Sequence, residues 1–391
     1  MVAACPVPAP RGTPIRVTRF AEALAALGHD VHLVAYGDGD GSQVDGVHVH
    51  RIRRIPGIRL DRPGPSVGKL TLLDPLLARR FRQISSSRSF DVVHAHHYEG
   101  LLVASHARGS AAPVVYDAHT VLETELPSYG RWLPAGPVRA LGRRIDRWLP
   151  GTARFVVAAS EPLRAHLLSI GAVEPERIQV VGNGVDLTRF PPAPPREGPE
   201  PGTGVLVYAG NLAPYQGIDH LLLAFREVLQ KRPGAQLRIL TDSDFAPFEA
   251  LAGRLGIRER IAVVPVRLPV LQRELSRAHV TLNPRPRCDG VPQKNLNYMA
   301  AGTALVGFEN SIQPCRHGQA AVAVSEVSGE ALGAAVLELL DRPEQRQALG
   351  RAARALLEQE YTWDRQAARL VNIYSRFVAA PPRGIRAPPR R

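Results

Sequence analysis

The stretch YAGNLAPYQG, residues 208–217, has the form of an anion-binding turn. A short hydrophobic strand leads into it, and a helix begins near its last glycine. The first N–H groups of a helix and the positive end of its dipole favour a phosphate at such a junction. The turn has no Lys or Arg, however, and offers the amides of Asn211 and Gln216 beside the open backbone of Gly210.

Positive charge could come from a second turn in the same half of the chain. Arg285 and Arg287 follow the strand VTLNP, and Lys294 lies in the first turn of the next helix. A neutral hydrogen bond contributes about 0.5–1.5 kcal/mol, and a charge-assisted one roughly twice as much. We therefore predict that the first turn still lines an anion site and that its cations have moved to the second.

Polar residues also follow strands predicted in the first half of the chain. Gly12 and Thr13 precede a helix, so their backbone N–H groups could face a phosphate. Arg16 and Arg19 lie on the first turns of that helix and are expected to help. His119 ends the buried strand PVVYDAH, where a side chain projects away from the core. Gly12, Thr13 and His119 are therefore candidate site residues.

Histidines and paired aspartates raise the question of a bound metal. His94, His96 and His97 lie close together, but no Cys or second acidic residue is spaced to complete a zinc site. We interpret them as hydrogen-bonding histidines at a strand end. The Asp-x-Asp patterns at 241–244 and 38–40 could bind Mg²⁺ or Mn²⁺, although the second reads as a turn. We expect no metal and no other cofactor.

Strand and helix patterns alternate along most of the chain, which predicts parallel sheets covered by helices on both faces. Pro and Gly dominate a linker between two such halves. In folds of this class, ligands bind beyond the carboxyl ends of the strands. The predicted segments are a first domain (1–190), the linker (191–204), a second domain (205–361), an amphipathic helix (362–380) and a disordered basic tail (381–391).

Composition limits the classes of protein that fit. The chain has 391 residues, 45% of them hydrophobic and 22% charged, as in a globular protein with two domains. We find no apolar run of membrane-spanning length and no signal peptide pattern, and the three cysteines have no metal or disulfide spacing. The net charge of +13 favours anionic partners, but no nucleic-acid-binding module is recognisable. These features predict a cytoplasmic protein.

The segment 131–150 is basic and amphipathic. Two interpretations remain open for it. The helix could pack its apolar side on the domain with solvated arginines, or it could lie on anionic lipid at the inner face of a membrane. The side chains concerned are Arg139, Arg143, Arg144 and Arg147 beside Leu141, Ile145 and Trp148.

Several of these stretches occur in the order found in family 4 glycosyltransferases, which the chain resembles from about residue 5 to residue 378. The stretches are GTPIRVTRFAEALAALGHDVHLVAY, DVVHAHHYEG, NGVDLTRF, YAGNLAPYQGIDHLLLAF and VPQKNLNYMAAGTALVGF. The resemblance implies the GT-B fold, two doubly wound Rossmann-like domains facing a cleft, and transfer of a sugar with retention. It also implies a nucleotide-sugar donor on the second domain, an acceptor on the first, and a last helix crossing back to the first domain.

The resemblance assigns roles by position. Gly12 and Thr13 would approach the donor diphosphate, and His119 would match the active-site histidine. Asp289 and Asn297 fall where the family has two glutamates, the first facing the sugar and the second binding the ribose. Asn297 therefore departs from the pattern.

Two further departures lie in the first turn. Asn211 and Gln216 stand where an Arg and a Lys usually hold the diphosphate, and this chain is similar to a branch with a YQG turn. The departures leave an alternative open, a catalytically weakened GT-B scaffold that acts as a binding or partner subunit. An epimerase on the same fold would need acidic catalytic residues that the sequence does not reveal.

Overall fold

The computed structural model describes residues 1–9, 12–37, 43–58, 66, 68–107, 111–129, 135–191, 202–288 and 290–378. The chain forms two compact units. Unit 1 comprises Met1–Gly182 and Trp363–Arg391, and unit 2 comprises Asn183–Thr362.

Unit 1 is built on a seven-stranded parallel sheet. Its strands are β1 (Val2–Pro6), β2 (Val31–Tyr36), β3 (Val47–Arg51), β4 (Val93–His96), β5 (Val114–Ala118), β6 (Phe155–Ala158) and β7 (Ile178–Val180). They lie in the order β3-β2-β1-β4-β5-β6-β7. The helices of its first segment are α1 (Gly12–Ala26), α2 (Asp74–Ser87, after a π-helical turn at Lys69–Leu73), α3 (His97–His106), α4 (Leu122–Tyr129), α5 (Ala135–Trp148) and α6 (Glu161–Ser169).

Unit 2 has a six-stranded parallel sheet. Its strands are β8 (Thr203–Ala209), β9 (Gly234–Leu240), β10 (Ile261–Val264), β11 (Val280–Asn283), β12 (Ala304–Phe308) and β13 (Val322–Val324). They lie in the order β10-β9-β8-β11-β12-β13. Its helices are α7 (Ile218–Lys231), α8 (Ala246–Arg254), α9 (Leu268–Arg277), α10 (Gln293–Ala300), α11 (Gly329–Leu340) and α12 (Pro343–Glu360).

Helix α13 (Trp363–Tyr374) follows unit 2 in sequence but belongs to unit 1. Its apolar side covers one face of the first sheet, where the Trp363 ring meets the Phe20 ring of α1 edge-on at 5.3 Å between centroids. Leu370 and Ile373 are fully buried in the same layer. Helices therefore cover both faces of the sheet, which explains why an inner strand such as β6 (FVVA) is a continuous apolar run.

The predicted class, two Rossmann-like α/β domains with parallel sheets, is confirmed. In each unit the strand order reverses beside the first strand, β1 or β8, and ligands of such folds bind beyond the carboxyl ends of the strands at that point. The turns singled out from the sequence lie after β1, β5, β8 and β11, at these carboxyl ends.

The division between the units differs from the sequence prediction at one place. Residues 183–190, which the sequence assigns to the first domain, group with unit 2. Hydrogen bonds to unit 2 explain this, because the Val185 N–H donates to the Tyr361 carbonyl at 2.9 Å and Arg354 Nη1 donates to the Phe190 carbonyl at 2.7 Å. Most of the predicted linker (192–201) and the whole predicted tail (381–391) lie outside the described residues.

Candidate functional site

Two glycines shape the turn after β8 in unit 2. Gly210 has φ +153°, and a Cβ there would lie 3.1 Å from the Tyr208 hydroxyl and 3.2 Å from Lys294 Nζ. Gly217 has φ +71°, and a Cβ there would lie 2.2 Å from the Pro284 carbonyl oxygen. Both positions therefore require glycine, and the turn after β8 lies directly against the segment that follows β11.

Lys294, in the first turn of α10, points into the turn after β8. Its Nζ donates to Gln216 Oε1 at 2.7 Å and to the Tyr208 hydroxyl at 3.2 Å, and it lies 4.3 Å from the centroid of the Tyr208 ring. Burial, with a further contribution from the nearby charge of Arg285, lowers the pKa of Lys294 to about 7. These three contacts involve only neutral groups, so they orient the ammonium without neutralising it.

The amides of the turn hold one another. Asn211 Oδ1 accepts from Gln216 Nε2 at 3.3 Å and from the Ala213 N–H at 3.1 Å, and Asn211 Nδ2 donates to the Tyr215 hydroxyl at 3.2 Å. Gln216 is 6% exposed. The two amides thus support the turn, and the Gln216 carbonyl gives the Lys294 ammonium an acceptor. A lysine at position 216 would place a second cation there.

The remaining predicted residues of unit 2 lie around Lys294. Arg285 stacks on the exposed Tyr215 ring at 4.9 Å, and its Nε donates to the Arg287 carbonyl at 2.7 Å. The Arg287 side chain is exposed, and Asn297 is partly buried one turn after Lys294. The structure therefore brings Lys294 and Arg285 to the turn.

Asp289 lies outside the described residues. The predicted pairing of Asp289 with Asn297 therefore stays a prediction.

A buried amide network, which the sequence analysis missed, fixes the start of α10. Asn283 Nδ2 donates to Asn295 Oδ1 at 3.1 Å, and Asn295 Nδ2 donates to the Ser311 carbonyl at 2.7 Å. The Ser311 hydroxyl donates to the Asn283 carbonyl at 2.9 Å, and all three residues are fully buried. An Asn at the end of a buried strand was the only signal in the sequence. The network holds the helix that carries Lys294.

In unit 1 a carboxylate, Asp117 in β5, forms the centre of the polar cluster. Arg16 Nε donates to Asp117 Oδ2 at 2.9 Å and Arg16 Nη2 to Oδ1 at 2.8 Å, while Nη2 also donates to the Val181 carbonyl at 2.7 Å. Burial opposes ionisation of Asp117, but Arg16 and the neighbouring histidines hold its pKa well below the ordinary value. The buried arginine and carboxylate therefore compensate each other's charge.

Three imidazoles surround this carboxylate. His96 Nδ1 lies 3.0 Å, His119 Nε2 3.3 Å and His94 Nε2 3.6 Å from Asp117 Oδ2. Burial is the main cause that lowers the pKa of each of these histidines below its ordinary value. The hydroxyl group of Tyr374 in α13 is hydrogen-bonded to His94 Nδ1. The histidines therefore stay neutral at neutral pH.

The predicted site residues of unit 1 have mixed outcomes. Gly12 and Thr13 are the first two residues of α1 and do not precede it, and Thr13 Oγ1 lies 3.2 Å from His119 Nδ1. The expectation that Arg16 helps to bind a phosphate is wrong, and that for Arg19 stays a prediction. Arg16 is only 2% exposed and holds Asp117, and Arg19 pairs with Glu22 at 2.8 Å.

The same cluster has the spacing of a metal site, which the sequence analysis did not recognise. Ligand atoms of His94, His96 and Asp117 lie within 4.8 Å of one another. Asp117 is the acidic residue that the sequence search missed, since it stands inside an apolar strand. Arg16 already bonds both carboxylate oxygens, so its positive charge opposes a cation here.

The three apolar residues singled out on helix α5 do not all face the core. Leu141 and Trp148 are 55% and 58% exposed, whereas Ile145 packs on the core of unit 1. Asp146 is buried and accepts from the N–H groups of Leu122 at 3.1 Å and Glu123 at 2.9 Å. One side of α5 is therefore anchored, and the other exposes two large apolar side chains. The arginines on α5 that are exposed with them are Arg139, Arg143, Arg144 and Arg147.

Comparison with known proteins covers both units. Residues 10–189 match the model described as Glycosyltransferase Family 4, and residues 203–342 match the model described as Glycosyl transferases group 1. D-inositol 3-phosphate glycosyltransferase of Segniliparus rotundus is 26% identical over 299 residues, which are 72% of this chain and 65% of that protein. The chain thus spans less than two thirds of that relative.

Solved structures resemble the whole fold. Sucrose-phosphate synthase from Thermosynechococcus elongatus has a TM-score of 0.78 at 17% identity, with 97% of this chain and 98% of the other covered. Anabaena HepE, solved in complex with UDP and glucose, has a TM-score of 0.70 at 16% identity, with 96% and 98% covered.

Proposed function

Since the chain belongs to glycosyltransferase family 4 and has the GT-B fold, we propose that it transfers a hexosyl group from a nucleotide-sugar with retention of configuration. Sugar transfer is the activity of the family. The nucleotide-sugar donor, the retained anomer and an acceptor that is a glycan, a lipid-linked sugar or a small molecule are our proposal. The complex of HepE with UDP and glucose supports this choice of donor.

The observation that carries the proposal is the Lys294 ammonium at the turn after β8. Its contacts with Gln216 and Tyr208 orient it but leave its charge uncompensated by them. Arg285 lies close enough to lower the pKa of Lys294, so an anion that binds both cations relieves their repulsion. A diphosphate leaving group suits this place, because its developing charge is stabilised by cations fixed in advance.

In unit 1 we propose that His119 orients the transferred sugar. Thr13 lies against His119 Nδ1 and Asp117 against Nε2, so the ring is fixed from both sides. Because burial lowers the pKa of His119, the neutral imidazole acts as a hydrogen-bonding group and not as a proton donor of ordinary acidity. Asp289 keeps its predicted role facing the sugar, and Asn297 its role at the ribose.

The donor can be tested by thermal shift of the purified protein with UDP-, GDP- and dTDP-sugars. A bound donor raises the free energy of unfolding, by about 2.7 kcal/mol at 100 times Kd, and Tm rises with it. We expect one nucleotide to stabilise the protein and its sugar to be released or transferred, with NMR of the product reporting the anomer. Stabilisation without release of free nucleotide would indicate the weakened scaffold. Absence of both would contradict the proposed donor class.

We also propose that the protein acts in the cytoplasm with peripheral contact between α5 and an anionic membrane. No described helix combines the length and apolar character that crossing a membrane requires. The support for surface contact is that exposed Leu141 and Trp148 accompany the exposed arginines of the same helix. Such a surface combines apolar insertion with attraction to anionic headgroups.

A further inference from the structure

A second group of histidines lies on β2 and β3, at the β3 edge of the unit 1 sheet, whereas His119 follows the interior strand β5. Strands β2 and β3 are parallel neighbours, and the register pairs His32 with His48 near their amino ends. Asp30 immediately precedes β2. In a parallel sheet, paired residues present their side chains on the same face. The topology therefore brings two imidazoles and a carboxylate together.

Their ligand atoms have the spacing that a tetrahedral metal requires. His32 Nε2 and His48 Nε2 each lie 3.4 Å from Asp30 Oδ1, and the three atoms are mutually within 4.8 Å. A zinc ion bonded to two such atoms at roughly 2.0–2.2 Å in a tetrahedron separates them by about 3.4 Å. The two separations from Asp30 Oδ1 agree with that value.

His32 also has an unused coordinating atom. Its side chain is 4% exposed, and within the described ranges its buried Nε2 has no hydrogen-bond partner. Buried polar atoms in folded proteins rarely lack a hydrogen-bond partner. The atom faces Asp30 and His48, whose side chains are 70% and 65% exposed, so an ion can reach it from solvent.

The other ring nitrogen of His32 is fixed by a neighbour. His32 Nδ1 lies 2.8 Å from His50 Nε2, and the two rings stack at 5.1 Å. Phe90 meets the His32 ring edge-on at 5.4 Å. When Nδ1 donates to His50, Nε2 carries the lone pair that a metal ion needs. A partner that accepts from the second ring nitrogen fixes the tautomer and the orientation of a metal-binding histidine.

We propose that Asp30, His32 and His48 form a zinc site, with His50 as the positioning residue and water completing the coordination. Two imidazoles and one carboxylate with an open position suit Zn²⁺. Arg88 and Arg80 act electrostatically on His32 and His50, which limits the affinity of a site with a single carboxylate. The ion would fasten the edge strand β3 to β2, away from the site proposed for sugar transfer.

The test uses the full chain without an affinity tag, freed of metal by a chelator and dialysed. Calorimetric titration with ZnSO₄ should give one ion per chain, and Tm should rise on the order of 5 °C at 100 times Kd. Co²⁺ should give the intense visible absorption of a tetrahedral site. Asp30→Asn and His48→Ala change exposed side chains and should weaken binding more than tenfold, while His50→Ala should weaken it by about 10–100-fold.

His106→Ala is the matched control, since His106 is an exposed histidine on α3. It should leave the affinity for Zn²⁺ unchanged. The proposal is overturned if the wild-type protein binds no Zn²⁺, or if Asp30→Asn and His48→Ala bind it as the wild type does. Binding lost equally in His106→Ala would also overturn it. Because the readouts are binding and Tm, the result is independent of the donor and of sugar transfer.

Discussion

The polar clusters around Asp117 in unit 1 and Lys294 in unit 2 handle charge in opposite ways. Arg16 and Asp117 are both buried, and each neutralises the other through two hydrogen bonds. Lys294 is partly buried and is held by Gln216 and Tyr208, which carry no charge. The charges of the first cluster are balanced by its own residues, whereas a bound anion would balance the charge of Lys294 in the second. Substitutions should therefore affect stability in unit 1 and binding in unit 2.

The largest effect is expected for Asp117→Asn. It leaves Arg16 buried with a neutral partner, and breaking a buried ion pair in this way costs about 3–5 kcal/mol of unfolding free energy. Denaturant unfolding measures the loss. The control is Asp242→Asn, whose pair with Arg267 is exposed and should contribute about 0–1 kcal/mol. Equal losses of unfolding free energy in the two variants would show that the buried pair of Arg16 and Asp117 stabilises the protein no more than an exposed pair does.

Arg285→Ala combined with Lys294→Ala should weaken nucleotide-sugar binding at least a hundredfold, about 2.7 kcal/mol. Both changes remove charge-assisted contacts to the diphosphate. Calorimetry measures the affinity, and the unfolding free energy should change much less than in Asp117→Asn. Lys231→Ala, at the exposed end of α7, is the control for net charge and should bind normally. Unchanged affinity in the double variant would show that the positive charge of the site lies elsewhere.

The pKa of Lys294 near 7 predicts a pH dependence of donor binding. An anion binds the charged ammonium, so affinity should fall as pH rises above 7, by up to about tenfold per pH unit. A nucleotide-sugar is the right probe, since its diphosphate is esterified at both ends and does not titrate there. Lys294→Arg stays charged and should flatten the profile between pH 6 and about 9. A profile with the same slope in wild type and variant would assign the titration to another group.

The smallest effect is expected on membrane contact by α5. Leu141→Glu and Trp148→Glu should each reduce co-sedimentation with anionic liposomes several-fold, because the side chains inserted beside the arginines become charged. Val327→Glu alters an exposed apolar residue of unit 2 and is the control. Zwitterionic liposomes should bind little in every case. Sedimentation that is unaffected by either α5 variant would restrict α5 to its packing role.

The sequence predicted both sheets because their buried strands are continuous apolar runs separated by helical periodicity. It failed where the partner of a charge is distant along the chain. Arg16 reads as an exposed cation on a first helical turn, and only the fold places it against Asp117, 101 residues later. The boundary near residue 183 was missed for a similar reason, since the pairing of Val185 with residue 361 leaves no composition signal.

At the proposed anion site, the sequence selected residues that the fold brings together, but it did not predict their arrangement. Lys294 and Arg285 were predicted to replace the missing cations, and both lie at the turn. Gln216 was predicted to bind the ligand itself, whereas its carbonyl oxygen accepts from Lys294. Residue type indicates that an amide can donate or accept, and only the neighbouring side chain decides which.

The place of α13 in unit 1 has a consequence for synthesis on the ribosome. Unit 2 lies entirely between the two segments of unit 1 in the sequence. The layer formed by Phe20 and Trp363 stays open until the last helix emerges, so the nascent chain exposes apolar surface of its first segment while unit 2 is made. Unit 1 can therefore complete this layer only after unit 2 has been made, whereas an amino-terminal domain usually folds first. A chaperone that shields the early segment would act during that interval.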